Sequence, residues 1–327
     1  MPTRAEAGGE AGDEAAHDAV EWATASLPPR RYLLAVSGGR DSMVLMTASA
    51  RVRDDVCMVA TFDHGTGPAA TQAAALVERE ASALGLPVIS GQLNAPVSTE
   101  AEWRAARWRF LRGWAHDLRA TVVTAHTMDD QLETVVMRVL RGAGARGLAA
   151  MYAPSPTCRP LLAVPRAVVA AYATARRVPF VEDPSNQSRA HLRNRVRLDL
   201  LPALLTARPD LGAELLTHSQ EAAEWRAAVE SVVDGLGVVE TEPGRVAVPV
   251  ASLATLDPRA LAVLWPAIAG RAGVALDWRG TDRLAAFTSG ARAGGEIPLS
   301  GGARVRRTAT SFVVTATQTA DATILRE

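Results

Sequence analysis

The residues Ser37-Gly38-Gly39-Arg40-Asp41-Ser42 follow a short apolar run and precede a helical pattern. Two adjacent glycines let a backbone close tightly around phosphate oxygens. Ser37 and Ser42 offer hydroxyls, and a helix that follows aims its first N–H groups at an anion. Asp41 is out of place beside a phosphate unless a divalent cation lies between them, so it is read as a Mg2+ ligand. The loop is not of the Gly-Lys-Ser/Thr kind, since the chain contains no lysine. An ordinary Ser/Gly turn is the plainer alternative. The apolar run before the loop and the helix after it favour phosphate binding.

Four further groups could do chemistry. Asp63-His64-Gly65 ends a second apolar run, where a strand end can meet a nucleotide; a loop Asp and His that cap the next helix is the competing account. Ala125-His126-Thr127-Met128-Asp129-Asp130-Gln131-Leu132-Glu133 ends a fourth such run. On a helix His126 and Asp130 are four apart and Asp130 and Glu133 three apart, which points to metal binding or general-base work. The alternative is that Asp129 and Asp130 only favour a helix N-terminus. Glu100, Arg104 and Arg107 share one helix face, and Arg193-Asn194-Arg195-Val196-Arg197 is a basic cluster suited to RNA phosphate or to plain solvation.

Apolar runs and helical patterns alternate around these groups. Strands are expected at 31–36, 56–62, 87–92 and 120–125, with a short strand or extended segment at 160–164. Helices are expected at 14–26, 42–51, 71–84, 100–117, 128–141, 166–176 and 193–205. This order predicts an α/β fold, a doubly wound parallel sheet covered on both faces, with ligands at the carboxyl ends of the strands. Gly142–Gly147 is a glycine-rich, mobile-looking loop. The alternation stops near Arg208-Pro209. Three regions follow: an acidic N-terminal extension over 1–30, whose opening tract reads as disordered; a catalytic, nucleotide-binding domain over 31–210; and a smaller, mainly helical C-terminal domain over 211–327.

The 327 residues balance 35 Arg against 35 acids. The charge is uneven. Residues 31–210 carry 22 Arg and 16 acids, a net +6, between ends of net −4 and −2. A basic middle can hold phosphates locally, and every contact must come from Arg, backbone N–H or hydroxyls. Cys57 and Cys158 are too far apart in sequence for a Cys-x-x-Cys pair and fit a reducing cytoplasm. No apolar run reaches a membrane-spanning length, and the N-terminus does not read as a signal peptide.

The hexapeptide resembles the PP-loop ATP pyrophosphatase superfamily, which cleaves ATP between its α and β phosphates and activates a carbon–oxygen group by adenylation. The whole ordered series narrows the resemblance. Ser-Gly-Gly-Arg-Asp-Ser, Asp-His-Gly, the Arg104/Arg107 helix, Ala-His-x-x-Asp-Asp-Gln-x-Glu-Thr, Arg-Gly-x-Gly-x-x-Gly-Leu, Arg-Pro-Leu-Leu, Glu-Asp-x-Ser-Asn and Arg-Asn-x-x-Arg-x-x-Leu-Leu-Pro together resemble the tRNA(Ile)-lysidine synthase family over about residues 31–205. The C-terminal third matches loosely through Ile297–Gly302 and Val305-Arg306-Arg307. Departures are Thr66-Gly67 where Leu-Arg often follows Asp-His-Gly, and Trp108 where Tyr is usual.

The resemblance implies ATP and Mg2+ as cofactors, and free L-lysine and a CAU-anticodon tRNA(Ile) as substrates. It implies a cytoplasmic enzyme with a tRNA-recognising C-terminal domain; a homodimer stays open. On this reading Ser37, Gly38, Gly39, Arg40, Asp41, Ser42, Asp63, His64 and His126 hold the nucleotide. Asp41 and Asp130 hold the metal, or Asp130 serves as base for the lysine amine, and Glu133 holds the ammonium. Arg104, Arg107, Asn194 and Arg197 meet tRNA or its charge, with Arg195 as a catalytic cation. Rival readings are a tRNA thiolase or ammonia-dependent synthetase of the same superfamily, and a non-catalytic nucleotide- or RNA-binding protein.

Overall fold

Tyr32–Ala35 forms strand β1, and all four side chains are buried. It is flanked by β2 (Val56–Asp63) on one side and β4 (Thr121–Val123) on the other, with β3 (Val88–Gln92) outside β2. All three pairings are parallel. The structure is a computed structural model that describes residues 17–63, 65, 67–93, 100–183 and 187–317. The acidic opening tract, His64 and Pro184-Ser185-Asn186 lie outside the described residues.

The side chains of β1 alternate between two cores, which is why its sequence is apolar throughout. Tyr32 and Leu34 face α2 (Arg40–Val52), α3 (Pro68–Ala83) and α7 (Arg166–Ala175) through Met43, Val77 and Val169. Leu33 and Ala35 face α4 (Glu100–Asp117) through Leu111 and Ala115. A helix over 17–25, α1, joins the first core through the fully buried Val20. Its Glu21 accepts hydrogen bonds from Arg51, Tyr172 and Arg176, so this part of the acidic N-terminal region is tied to α2 and α7.

The strand order β3-β2-β1-β4 reverses direction between β1 and β4. In sheets of this kind ligands bind at the carboxyl ends beside such a reversal, and both chemistry-bearing segments leave from those two ends. After β4 come α5 (Met128–Leu140) and the short α6 (Ala145–Leu148). The segment 160–164, expected to be extended, is instead a 3-10 turn at Pro160–Ala163. Only Cys158 pairs with the sheet, in a single bridge to Val123. Pro160 lacks the N–H a continuing ladder requires, and its fixed φ suits a helical first turn.

The expected helix at 193–205 is a continuous rod of three parts: α8 (Leu192–Arg195), a π turn (Val196–Leu200) and α9 (Leu201–Ala207). Val196 and Leu201 pack on Val136 of α5. The chain divides into two compact units after Glu221, within α10 (Leu211–Gly235).

The second unit holds helices and a five-stranded antiparallel sheet. The strands are β5 (Val239–Glu242), β6 (Arg245–Pro249), β7 (Glu296–Pro298), β8 (Arg304–Arg307) and β9 (Ser311–Thr315), in the order β5-β6-β9-β8-β7. The alternation in β9 buries Phe312 and Val314. They pack with Trp265 and Ile268 of α12 (Pro258–Arg271) and Leu284 of α13 (Trp278–Gly290); the short α11 (Val250–Leu253) adds Leu253. Among the described residues no helix is long and apolar enough to cross a membrane.

Candidate active site

The loop after β1 is a tight cradle. Ser42 Oγ donates to the Gly39 carbonyl at 2.8 Å and accepts from the Ser37 N–H at 3.1 Å, so the serine closes the loop on itself. Gly38 has φ +81°, and a Cβ there would lie 2.7 Å from the Ala73 Cβ on α3. Glycine is required at that position on both counts. Its carbonyl accepts from the Val181 N–H at 3.0 Å, which pins the loop from the other side. Gly39 is the N-cap of α2 and brings no side chain to the first turn, leaving that helix end open toward an anion.

Asp41 lies in this first turn. Its nearest cations are Arg40 at 3.4 Å and Arg166 at 3.8 Å, both looser than a good charged hydrogen bond. Burial pushes its carboxyl above the usual range; Arg166 and Arg40 pull it down but do not win. Asp41 is a carboxylate short of positive charge.

The segment after β4 has the opposite balance. Thr127 caps α5, and Asp130 returns the cap: its Oδ2 accepts from the Thr127 N–H at 2.8 Å and from its hydroxyl at 3.0 Å. The helix-start account of Asp130 therefore holds for one oxygen. The other oxygen, Oδ1, accepts from Arg166 at 2.8 Å, Arg193 at 3.1 Å and Arg197 at 3.3 Å. Glu133, whose side chain is 1% exposed, takes the same three arginines. Its Oε1 accepts from Arg166 at 3.0 Å and Arg197 at 2.7 Å, and its Oε2 from Arg193 at 2.9 Å and Arg197 at 3.0 Å. Burial pushes both carboxyls up, yet the guanidinium contacts outweigh it and both end below their ordinary values. Two buried carboxylates thus meet three cations, an arrangement that stays ionised.

Arg166 is the link between the two segments. It begins α7, directly after Pro165, and its backbone N–H donates to Asp129 at 2.7 Å. Its side chain spans Asp130, Glu133 and Asp41. The sequence reading did not single it out, because one arginine at a helix start carries no periodic signal. Arg193 was visible within the basic cluster but unassigned. Arg193 and Arg197 are four apart and face the acidic pair, whereas Arg195 is exposed and outside this cluster. The i, i+4 rule could have separated them. Arg197, expected at tRNA, has its guanidinium on Asp130 and Glu133. Asn194 is buried and donates to the Ser188 carbonyl at 2.8 Å.

The remaining candidates divide. His126 bonds Thr124 Oγ1 at 2.9 Å, and its pKa falls to about 4: burial lowers it, Asp130 opposes, and Arg159, Arg193 and Arg107 push it further down. It is therefore neutral at pH 7 and within electrostatic reach of those arginines. Arg107 is half-buried; burial and the neighbouring Arg104 lower its pKa, while Arg104 is exposed. Asp63 is buried with both oxygens engaged, by the Gly65 N–H at 2.8 Å and the Thr71 hydroxyl at 2.9 Å. It anchors the start of α3, on which Gly38 rests. Gln131 fixes the turn after α6: it accepts from the Met151 N–H and donates to the Ala149 carbonyl and Ser219, across the positive φ of Ala150.

The donors fit a Mg2+ ion unequally. Among the described residues no three His, Cys, Asp or Glu converge as a cage. Mg2+ beside a nucleotide needs only one or two carboxylates, phosphates and waters. Asp41, loosely paired and short of positive charge, suits that role. Asp130, expected as a second ligand, has both oxygens committed, so it could bind metal only by losing a guanidinium or its cap.

A family model described as the PP-loop domain matches residues 14–204. The chain is 39% identical over 278 residues to a tRNA(Ile)-lysidine synthase of Methylobacterium sp. (strain 4-46), covering 80% of each chain. It is 36% identical over 313 residues to a tRNA(Ile)-lysidine synthase of Salinispora tropica, covering 89% of this chain and 92% of that one. In fold it is similar to the U34-tRNA thiolase NcsA from Methanococcus maripaludis, with a TM-score of 0.54 at 14% identity over 66% of this chain and 80% of that one.

Proposed function

The chain belongs to the tRNA(Ile)-lysidine synthase family, with an ATP-using PP-loop domain, and from that premise we propose that it joins free L-lysine to C2 of the wobble cytidine of a CAU-anticodon tRNA(Ile). ATP is split to AMP and pyrophosphate. The product, lysidine, pairs with A, so the tRNA reads AUA in place of AUG.

One observation carries the reading: an anion cradle and a buried acidic pair leave adjacent strand ends and meet at one arginine. Two half-reactions need such a juxtaposition. In the first, the C2 oxygen of cytidine attacks the α-phosphorus; the new O–P bond forms as the bond to pyrophosphate breaks, and pyrophosphate leaves with the electron pair. Ser37–Ser42 and the N-terminus of α2 hold the phosphates. Asp41 would hold Mg2+, which when bound neutralises charge on the phosphates. Asp63 supports the cradle through α3, and neutral His126 offers a hydrogen bond at the strand end without adding charge.

In the second half-reaction the ε-amine attacks C2. The C2–N bond forms, the C2–O bond breaks, and AMP leaves with that oxygen and the electron pair. Glu133 and Asp130 are assigned to hold the lysine. The surrounding guanidiniums disfavour a further positive charge and so favour the neutral, nucleophilic amine; Asp130, expected as its base, is held ionised by those guanidiniums, so the proton released on attack passes to water. Holding amine and activated base together converts the transfer into an intramolecular step. Arg104 and Arg107 are assigned to the tRNA backbone, and residues 211–327 to tRNA recognition. The thiolase alternative lacks a cysteine pair: Cys57 is on β2, Cys158 pairs beside β4, and β1 runs between them.

The test is to incubate the protein with ATP, Mg2+, labelled lysine and unmodified tRNA(Ile) transcript. ATP-dependent label in the RNA is expected, with none in tRNA(Met). Pyrophosphate release without label in RNA overturns the reading.

A further inference from the structure

Among the described residues the ion pairs of Arg193 and Arg197 go to the Asp130–Glu133 pair, whereas Arg166 pairs with it and also faces Asp41 on the phosphate loop. It is fixed at both ends. Its backbone N–H is bonded to Asp129, and the Met128 N–H donates to the Val164 carbonyl, so the start of α7 is clamped to the start of α5. Its guanidinium is hydrogen-bonded to the two α5 carboxylates and lies 3.8 Å from the Asp41 carboxylate on α2, an ion pair without a hydrogen bond, with a side chain 18% exposed. A planar fork of donors can hold several oxygens at set distances, which an ammonium cannot.

We infer that Arg166 is a positioning residue that sets the spacing between the phosphate loop and the Asp130–Glu133 pair, and so aligns the amine donor with the activated base. This rests on the lysine-transfer reading above. Without Arg166 the acidic pair keeps Arg193 and Arg197 and stays ionised. What is lost is the tie to Asp41 and the register of the two sites. Adenylation needs mainly the cradle; transfer needs both sites at one distance, and displaced reacting atoms lose rate steeply.

The experiment measures the two half-reactions separately in wild type, Arg166→Gln and Arg166→Lys. Single-turnover pyrophosphate release with ATP and tRNA, lysine absent, reports adenylation. Addition of labelled lysine to the preformed adenylated tRNA reports transfer. In Arg166→Gln, transfer is expected to slow at least tenfold more than adenylation. Arg166→Lys, with the charge but not the fork, is expected between Gln and wild type in transfer. A merely structural residue would lower both half-reactions by one factor, and that result in both variants overturns the inference; so does transfer within twofold of wild type. If the Gln variant does not fold, the ratio in the Lys variant decides alone. If wild type itself transfers no lysine, the lysine reading fails and the inference falls with it. If wild type transfers and the ratio stays at one, only the inference fails.

Discussion

Asp41 and the Asp130–Glu133 pair occupy neighbouring strand ends of one sheet, yet their electrostatic surroundings are opposite. Asp41 has two distant guanidiniums and a carboxyl raised by burial. Asp130 and Glu133 share three close guanidiniums and are lowered in spite of burial. The difference teaches what each site awaits. The loop end lacks positive charge and suits an arriving cation with its phosphates. The acidic pair is already compensated, so it suits a substrate whose own charge must be given up.

Substitution can break that contrast, and the largest effect is expected at the loop. Asp41→Ala should slow pyrophosphate release by on the order of 10²–10³-fold, the scale of a lost electrostatic catalytic group. Its melting temperature should not fall, because the removed carboxylate is undercompensated. A variant that keeps its rate removes Asp41 from the metal role. Glu133→Gln should have the reverse signature. It strips a buried charge from three arginines, so denaturant unfolding should show a loss of about 3–5 kcal/mol. Its lysine KM should rise more than its adenylation rate falls.

Acid sharpens the same comparison. Asp130 and Glu133 have folded pKa values below their ordinary 3.8 and 4.5. Their stabilisation is complete above those ordinary values and is lost as pH falls through the depressed folded ones. Asp41, raised above 3.8, costs stability at neutral pH and gives it back as pH falls through its folded value. Unfolding midpoints measured from pH 7 to 2 should therefore fall less steeply in Glu133→Gln than in wild type. Asp41→Asn should be the more stable protein at pH 7, by on the order of 1 kcal/mol.

The smallest effect separates neighbouring arginines. Arg193→Ala should lower stability by about 1 kcal/mol, since the lost guanidinium is partly exposed and Glu133 keeps Arg166 and Arg197. Arg195→Ala should change it by less than about 0.5 kcal/mol, as for an exposed side chain. Equal losses would place Arg195 in the cluster after all.

These contrasts also mark where the sequence was legible. The cradle was legible because its signals are local: an apolar strand, two glycines and a helix start. The parallel sheet followed from apolar runs such as Tyr32–Ala35, buried on both faces. The segment at Pro160–Ala163 misled because a short apolar run does not distinguish a strand from a turn, although Pro160 carried the warning. Arg166 was illegible for a different reason. Its partners are 33, 36 and 125 positions away, so only the folded chain brings them together. Arg193 and Arg197, four apart on one helical rod, both reach Glu133, a pairing whose partner lies about 60 positions away and so carries no local signal. Asp130 was seen as either cap or catalytic group, and its two oxygens divide between those environments.

The most direct test of the account follows one oxygen. A tRNA(Ile) carrying 18O at C2 of the wobble cytidine is incubated with protein, ATP, Mg2+ and lysine, and the AMP is analysed by mass spectrometry. If the base oxygen is adenylated and then displaced by the amine, the AMP carries the 18O in its phosphate and the modified RNA has lost it. Unlabelled AMP, with 18O kept in the RNA, would contradict the account.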